Sequence, residues 1–210
     1  MAYDLEEQEQ LAELKAWWNQ WGSLITAAIV AACLAFAGWQ GWRWYERSQA
    51  TQAGALFDTL ARAALAGDAK ALKDAGGALI ENYPRTLFAS MGALTSARFY
   101  FERNDLKSAK AQLQWVQQNG RTEDFRDLAR LRLAQVLIDE KAYDEALKLL
   151  DEKHAAAYDA QYAAAKGDVL VAKNQAADAK AAYKLALEKA ESGNNAFRES
   201  VRMRLEALGG

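Results

Sequence analysis

The chain has 210 residues and a net charge of −2, from 26 basic and 28 acidic side chains. A chain this close to neutral lacks the basic surface that nucleic acids require, so we expect no nucleic-acid partner. One proline and 13 glycines are too few for the turns of an all-β fold, and the abundance of Ala, Leu, Lys and Glu favours an all-α fold. Because Cys33 is the single cysteine, no internal disulfide can form.

Residues 1–21 form an acidic leader. It carries five acidic side chains and one basic side chain, Lys15, so its net charge is −4. We interpret residues 1–21 as a short acidic tail that precedes the apolar stretch.

Residues 22–42 form the most apolar stretch of the chain. No charged residue occurs from Ala16 to Trp42, and Gly22–Gly38 is almost entirely apolar. A bilayer core of about 30 Å needs about 20 apolar helical residues, so we predict a transmembrane helix here, with the lipid bilayer as its surroundings. Tryptophan rings favour the headgroup level, and six of them are predicted membrane-interface residues: Trp17, Trp18, Trp21, Trp39, Trp42 and Trp44.

The segment around Cys33 raises two alternatives to an uncleaved anchor. A cleaved signal peptide has a basic start and an apolar stretch of about 7–15 residues, whereas this leader is acidic and the stretch is longer. A lipoprotein signal is suggested by the sequence Val-Ala-Ala-Cys at residues 30–33, but the apolar run continues through residues 34–39. We favour the uncleaved anchor, with a lipoprotein-type repeat scaffold for outer-membrane protein assembly as the alternative.

The charged residues that flank the span leave its orientation open. Arg43 and Arg47 follow the span and Lys15 precedes it, so a positive-inside count places the C-terminal part in the cytoplasm by one residue. Long domains cross a membrane largely regardless of charge, which makes this count a weak guide.

The rest of the chain has helical periodicity. Residues 43–52 contain neither Pro nor Gly, and we interpret them as a membrane-proximal helical junction to a domain at residues 53–210. Breaks occur near Gly67, Tyr83–Thr86, Asn104, Asn119, Lys141, His154, Asn174 and Gly193, with Asp68, Asp105 and Thr122 as predicted N-caps. The last predicted helix, residues 196–208, has one apolar face and is placed to close a helical stack.

Three segments of this domain repeat: residues 105–113, 142–150 and 175–183. The repeat lengths are 37 and 33 residues, and small residues coincide in each copy at two positions twelve residues apart. Two antiparallel helices cross closely only where side chains are small, and a period of about 34 residues is that of tetratricopeptide repeats. An Ala-rich helical bundle is the alternative to a solenoid. The predicted repeat-packing residues are Ala97, Ala109, Ala134, Ala146, Gly167 and Ala179, with Leu60 and Leu72 at the same positions of a degenerate first copy.

One face of the repeats is a candidate partner-binding surface. Apolar residues recur around the first crossing position of each pair, and in a curved stack they approach the concave side, with polar residues at its rim. The face is interpreted either as a groove for a peptide or partner helix, or as a wider core stripe that the last helix covers. The predicted partner-binding residues are Leu94, Arg98, Phe101, Glu102, Leu131, Gln135, Ile138, Asp139, Asp168 and Val171.

The sequence offers little for catalysis. His154 is the single histidine, and we interpret it as an exposed loop residue; a histidine metal site or catalytic triad has no second histidine to use. Neighbouring carboxylates such as Asp139 and Glu140 are typical of solvated helix faces. We therefore expect no enzyme activity, no cofactor, no metal and no small-molecule substrate.

The order of these parts resembles the YfgM family of ancillary subunits of the bacterial SecYEG translocon. The resemblance covers the acidic leader with Tyr3, the single span closed by Gly-Trp-Arg-Trp-Tyr at residues 41–45, and the degenerate repeats, with residues 89–113 among the most specific parts. It implies an all-α protein with a single N-terminal transmembrane helix, a tetratricopeptide-repeat-like α-solenoid and a C-terminal capping helix.

The resemblance also implies a place in the cell and a set of partners. It implies a single-pass protein of the bacterial inner membrane, with the N-terminus cytoplasmic and the repeat domain periplasmic. The implied partners are the SecYEG translocon and a PpiD-like periplasmic chaperone. The implied role is that of a membrane-anchored adaptor that assists secreted or outer-membrane proteins after translocation.

Overall fold

The computed structural model describes the backbone of residues 2–209 and the side chains of residues 10–209. The leader's side chains before residue 10, and residue 210 of the predicted repeat domain, lie outside the described residues. The described chain contains nine α-helices, one turn of 3-10 helix and no strand, which confirms the all-α fold. The helices are α1 (Ala2–Ala66), α2 (Ala69–Asn82), α3 (Leu87–Phe101), α4 (Leu106–Asn119), α5 (Glu123–Asp139), α6 (Tyr143–Leu150), α7 (Asp159–Ala172), α8 (Ala176–Lys189) and α9 (Asn195–Ala207), with the 3-10 turn at Ala156–Tyr158.

The chain divides into two compact units, Met1–Ser48 and Gln49–Gly210. In the first unit, the large apolar side chains of Leu24, Ile29, Val30, Leu34 and Phe36 are exposed, as a lipid-facing helix requires. Within the described residues, α1 is the one helix long and apolar enough to cross a membrane. The Thr26 hydroxyl donates to the Gly22 carbonyl at 2.7 Å, so this polar group is satisfied inside its own helix.

Four helical hairpins in the second unit end their first helix in the same way. The backbone has positive φ at one residue of each turn: Gly67 (75°), Asn104 (59°), Lys141 (60°) and Asn174 (59°). Each of these lies seven residues after a predicted crossing residue: Leu60, Ala97, Ala134 and Gly167. The N–H of the next residue donates to the carbonyl five residues earlier, as in a Schellman cap: Asp68 to Ala63, Asp105 to Tyr100, Ala142 to Leu137 and Gln175 to Leu170. These turns recur at the spacing of the predicted repeat, including in the degenerate first copy.

The three predicted N-caps are confirmed. The Asp68 carboxylate accepts from the N–H groups of Lys70 and Ala71 at 3.0 Å, at the start of α2. Asp105 accepts from the N–H of Ser108 at 3.1 Å, and the Thr122 hydroxyl accepts from Phe125 at 3.5 Å. These side chains satisfy N–H groups that the first turn of a helix leaves without a partner.

The second unit is a solenoid and not a bundle. From α2 to α9 each helix packs on the next one in the chain, and the first helices of successive pairs also meet, α3 with α5 and α5 with α7. Contacts limited to near neighbours are the mark of a repeat stack. Helix α9 packs on α8 and buries Val201, with Phe197, Leu205 and Leu208 partly buried beside it, so the predicted closing helix is present one residue earlier than expected.

The crossing residues lie in the core of the stack. The alanines at positions 97, 109, 134, 146 and 179 are buried, as is Gly167. A Cβ built on Gly167 would overlap the ring of Tyr183, so α7 and α8 approach more closely than any larger residue allows. In the first copy Leu60 and Leu72 are fully buried in one cluster with Leu79.

Candidate functional site

A pocket opens between α3 and α5, with Leu113 of α4 also lining it, and we call it the first-helix pocket. Its volume is about 330 Å³. The buried side chains of Ala97, Leu113 and Val136 form an apolar floor, and the half-buried ring of Phe101 forms one wall. The polar groups at the pocket belong to Arg98, Arg132 and Gln135.

The two arginines of the pocket differ in their partners. Arg98 Nε donates to Glu102 Oε1 at 2.7 Å, and this hydrogen bond with the carboxylate charge raises the pKa of Arg98. Arg132 has no hydrogen bond or ion pair with another described residue. Desolvation by the neighbouring pocket residues lowers the pKa of the exposed Arg132 side chain, and the like charge of Arg98 lowers it further. The pocket therefore holds one neutralised arginine and one arginine whose charge is uncompensated.

The predicted partner-binding residues fall into separate environments. Arg98, Phe101 and Gln135 line the first-helix pocket, with Glu102 held beside Arg98. Others on α3 and α5 belong to the core or its edge: Leu94 is buried, and Leu131 and Ile138 are half-buried against the central cluster. Asp139 is exposed at the end of α5, and Val171 is exposed at the end of α7.

Asp168 lies under the last helix. Its carboxylate accepts from Arg204 Nη1 of α9 at 3.0 and 2.9 Å and from the Tyr183 hydroxyl at 2.8 Å. Burial raises the pKa of Asp168 and outweighs the lowering that these two donors cause. Asp168 therefore ties α7 to α8 and α9, whereas the first-helix pocket between α3 and α5 stays open.

A buried polar network on α5 was not anticipated from the sequence. Asp127 is 1% exposed, and its carboxylate accepts from Arg130 at 2.6 Å, from the Tyr162 hydroxyl at 3.0 Å and from the N–H of Ala155 at 3.1 Å. Burial and the Asp127 carboxylate raise the pKa of Tyr162. The repeat pattern could have predicted the burial of Asp127, because Ser90, Asp127 and Ala160 occupy the same position of their repeats and all three are buried.

His154 is not the exposed loop residue that the sequence suggested. Its ring stacks on Tyr162 with 3.8 Å between centroids and 7° between planes. Its Nδ1 lies 3.0 Å from the Glu152 carbonyl oxygen, and Nε2 lies 3.3 Å from a carboxylate oxygen of Asp159. The reason is that Asp127 binds both the N–H of the next residue, Ala155, and the hydroxyl of Tyr162, which holds the His154 ring beside that of Tyr162. Within residues 10–209, no group of three or more His, Cys, Asp or Glu side chains is arranged to hold a metal ion.

The six predicted membrane-interface tryptophans all lie in the first unit, and all are exposed on α1. The guanidinium of Arg43 lies over the ring of Trp39, 4.8 Å from its centroid. A ring that combines apolar faces with a cation contact suits the boundary between acyl chains and headgroups.

Comparisons with known proteins agree with this architecture. The Tetratricopeptide repeat-like domain family matches residues 15–210. A protein of Haemophilus influenzae named "Ancillary SecYEG translocon subunit" is 28% identical over 208 residues, which cover 99% of this chain and 100% of that protein. Proteins of the same name from Neisseria gonorrhoeae and Escherichia coli are 30% and 24% identical, over 99% and 96% of this chain and 100% and 96% of their own lengths. The chain therefore belongs to the tetratricopeptide repeat-like family and, within it, to the YfgM family.

Proposed function

We propose that this protein is a membrane-anchored adaptor that binds partner proteins at the SecYEG translocon without catalysing a reaction. The observation that carries the proposal is the first-helix pocket, which is open, partly apolar and lined by residues of α3, α4 and α5 in a repeat stack. Repeat stacks use such faces to hold segments of other proteins. Relatives in three organisms share the name "Ancillary SecYEG translocon subunit", and this supports the translocon as the partner complex.

The proposed topology is that of a single-pass protein of the inner membrane. Residues 1–21 form the cytoplasmic tail, 22–42 the span and 43–52 the junction, and 53–210 form a periplasmic repeat domain. The exposed apolar surface of α1 and its flanking tryptophans support the span. The anchor keeps the repeat domain near the channel exit, where confinement raises the effective concentration of an emerging segment.

The proposed partners are the translocon and a PpiD-like periplasmic chaperone, and the proposed clients are secreted or outer-membrane proteins that have just crossed the membrane. In this role the repeat domain holds the chaperone and client close together. No bond is made or broken, so the contribution of the protein is binding and proximity alone.

The test is recovery of the translocon with tagged full-length protein from detergent-solubilised membranes. A triple variant, Arg98→Glu with Phe101→Asp and Asp139→Lys, changes the first-helix face, by which we mean the first-helix pocket together with the exposed C-terminal end of α5. A matched triple variant on the exposed side of α8, Lys184→Glu with Leu185→Asp and Glu188→Lys, carries the same kinds of change. We expect the first variant to lose the translocon and the chaperone and the second to keep both.

Folding of the variants needs its own control, because Phe101 is half-buried. The double variant Arg98→Glu with Asp139→Lys leaves Phe101 in place and should reduce recovery with unchanged helicity. Equal recovery of the translocon with all variants would contradict binding through this face and would favour the span as the contact.

Topology and processing are tested separately. A reporter that works only in the periplasm should be active when fused after Gly210 and inactive when fused before Met1. The intact mass of membrane-extracted protein should correspond to an uncleaved chain. A mass that begins at Cys33 with added lipid would support the lipoprotein-type scaffold instead.

A further inference from the structure

The first-helix pocket has the size of a side-chain binding site. Its volume of about 330 Å³ is at the lower end of the range of about 300–1,000 Å³ that is usual for ligand pockets. Its floor is made of Ala97, Leu113 and Val136, which offer no polar group from their side chains. The apolar floor fits one or two apolar side chains of a partner, and the polar groups around it are placed to contact the partner's backbone or its charged residues.

The charges of the two arginines at the first-helix pocket indicate which kind of partner segment can bind there. The carboxylate of Glu102 already neutralises Arg98 at 2.7 Å. Arg132 has no such partner among the described residues, and its helical neighbours three and four positions away are Leu128, Ala129, Gln135 and Val136, none of them acidic. A guanidinium stays protonated in a protein, so Arg132 presents a permanent positive charge at the pocket. Its lowered pKa reports that its surroundings disfavour that charge.

Gln135 adds a second free polar group. Its side chain is exposed on the next turn of α5, and it has no hydrogen bond with another described residue. An amide can both donate and accept, so it can bind the backbone of an extended or helical segment. Arg132 and Gln135 together offer hydrogen-bond donors beside the pocket's apolar floor.

We infer that the first-helix pocket binds an acidic segment of a partner protein, with an apolar side chain on the pocket floor and a carboxylate on Arg132. A basic segment would face the uncompensated charge of Arg132 and would be repelled, whereas a carboxylate would form a charge-assisted hydrogen bond. This inference rests on the proposed function, because it names the chemistry of the partner at the same face.

The test measures binding of short fluorescent peptides to the full-length protein in lipid nanodiscs by fluorescence anisotropy. One peptide has a central leucine flanked by glutamates, a second has lysines in place of the glutamates, and a third keeps the glutamates and replaces the leucine with serine. We expect the acidic leucine peptide to bind at least about tenfold more tightly than either of the other two, the loss expected for one charged hydrogen bond or one buried leucine.

Variants at Arg132 assign the charge preference to this residue. Arg132→Glu should weaken binding of the acidic leucine peptide by at least about tenfold and strengthen binding of the basic one. Arg132→Gln should also weaken the acidic peptide, and it should strengthen the basic peptide less than Arg132→Glu does, because it removes the repulsion without adding an attraction. Lys184→Glu, an exposed charge reversal on α8, is the matched control and should leave both affinities unchanged. Arg132 is exposed, so these substitutions should preserve the helical content, which circular dichroism checks.

Three results would overturn the inference: equal binding of the acidic and basic peptides, an unchanged affinity of Arg132→Glu for the acidic peptide, or equal binding of the leucine and serine peptides. Its failure is distinguishable from failure of the proposed function. If the first-helix variants lose the translocon while no acidic preference exists, the adaptor proposal stands and the inference is wrong. If Arg132 selects the acidic peptide while those variants still recover the translocon, the inference stands and the adaptor proposal is wrong for this face.

Discussion

Ser90 and Asp127 occupy the same position in successive repeats, and each accepts a hydrogen bond from the connection that leads to the next repeat. Ser90 Oγ accepts from the backbone N–H of Arg121 at 3.1 Å, and Asp127 Oδ2 accepts from the backbone N–H of Ala155 at 3.1 Å. Both side chains are buried, at 0% and 1% exposure. Each repeat therefore fixes the following connection from inside its own first helix, and Asp127 does so with a charge that Arg130 compensates.

Loss of Asp127 should destabilise the repeat domain more than loss of Ser90. We expect Asp127→Ala to lower the free energy of unfolding by about 3 kcal/mol, because it leaves Arg130 and the N–H of Ala155 without their buried partner. Ser90→Ala should cost about 1 kcal/mol. Urea unfolding of the detergent-solubilised full chain, followed by circular dichroism, measures both.

Ser96 supplies the matched control for Ser90. It lies on the same helix, is 2% exposed, and its hydroxyl oxygen has no hydrogen-bond partner in the described residues. Ser96→Ala should leave the free energy of unfolding unchanged or raise it. A loss at Ser96 as large as that at Ser90 would mean that the hydrogen bond to Arg121 contributes nothing.

Gly167 should tolerate no larger residue. We expect Gly167→Ala to lower the free energy of unfolding by about 2 kcal/mol, because the added methyl group overlaps the ring of Tyr183 and forces α7 and α8 apart. Gly77 in α2 has no neighbouring atom within 4 Å of an added Cβ, so Gly77→Ala should instead raise it by about 0.5–1 kcal/mol. Thermal unfolding compares the two, and equal effects would rule out close packing at Gly167.

Replacing Lys141 with glycine should stabilise the repeat domain. It has φ of 60°, which strains a residue with a Cβ, and the equivalent turns use Gly67, Asn104 and Asn174. Lys141→Gly should raise the free energy of unfolding by about 1 kcal/mol, and Lys141→Ala should give no gain. Lys148→Gly, in the last turn of α6, should lower the free energy of unfolding by up to about 1 kcal/mol in the same urea experiment. If Lys141→Gly and Lys148→Gly both lowered the free energy of unfolding, the left-handed turn at Lys141 would be contradicted.

The Asp168 carboxyl should give the folded state a measurable pH dependence. Its pKa is raised by burial, so between its ordinary value and its folded value the folded chain binds more protons than the unfolded chain. The free energy of unfolding therefore gains a contribution as the pH falls through the folded pKa, and loses it as the pH rises. Relative to Asp168→Asn, the unsubstituted protein should become more stable between pH 7 and about pH 4, the ordinary range of a carboxyl. A stability difference that is constant with pH, or that favours the variant at low pH, would contradict this.

Much of the fold followed from the sequence because the repeat signal is local. Small residues at Ala97 and Ala109 fix where two helices cross, and the turn at Asn104 follows at a fixed distance, so boundaries and register could be predicted together. The same phase shows the position of Asp127, although a buried charge is not expected from an alternation of apolar residues alone.

The candidate site was only partly predictable, since its properties depend on tertiary neighbours. From its sequence position Asp168 looks like an exposed rim residue. Only the placement of α9 shows that its carboxylate accepts a hydrogen bond from Arg204. Arg132 looks like an ordinary exposed helical arginine. Its importance comes from the pocket beside it and from the Glu102 that neutralises Arg98 and leaves Arg132 uncompensated.

The most direct test of the adaptor account is photo-crosslinking in living cells. A photoreactive amino acid replaces Gln135 in the first-helix pocket and, in a separate protein, Glu188 on the exposed side of α8. The account predicts adducts with the translocon or its chaperone from position 135 and none from position 188. Adducts from position 188 alone, or translocon adducts only from positions in the span, would contradict partner binding through the first-helix face.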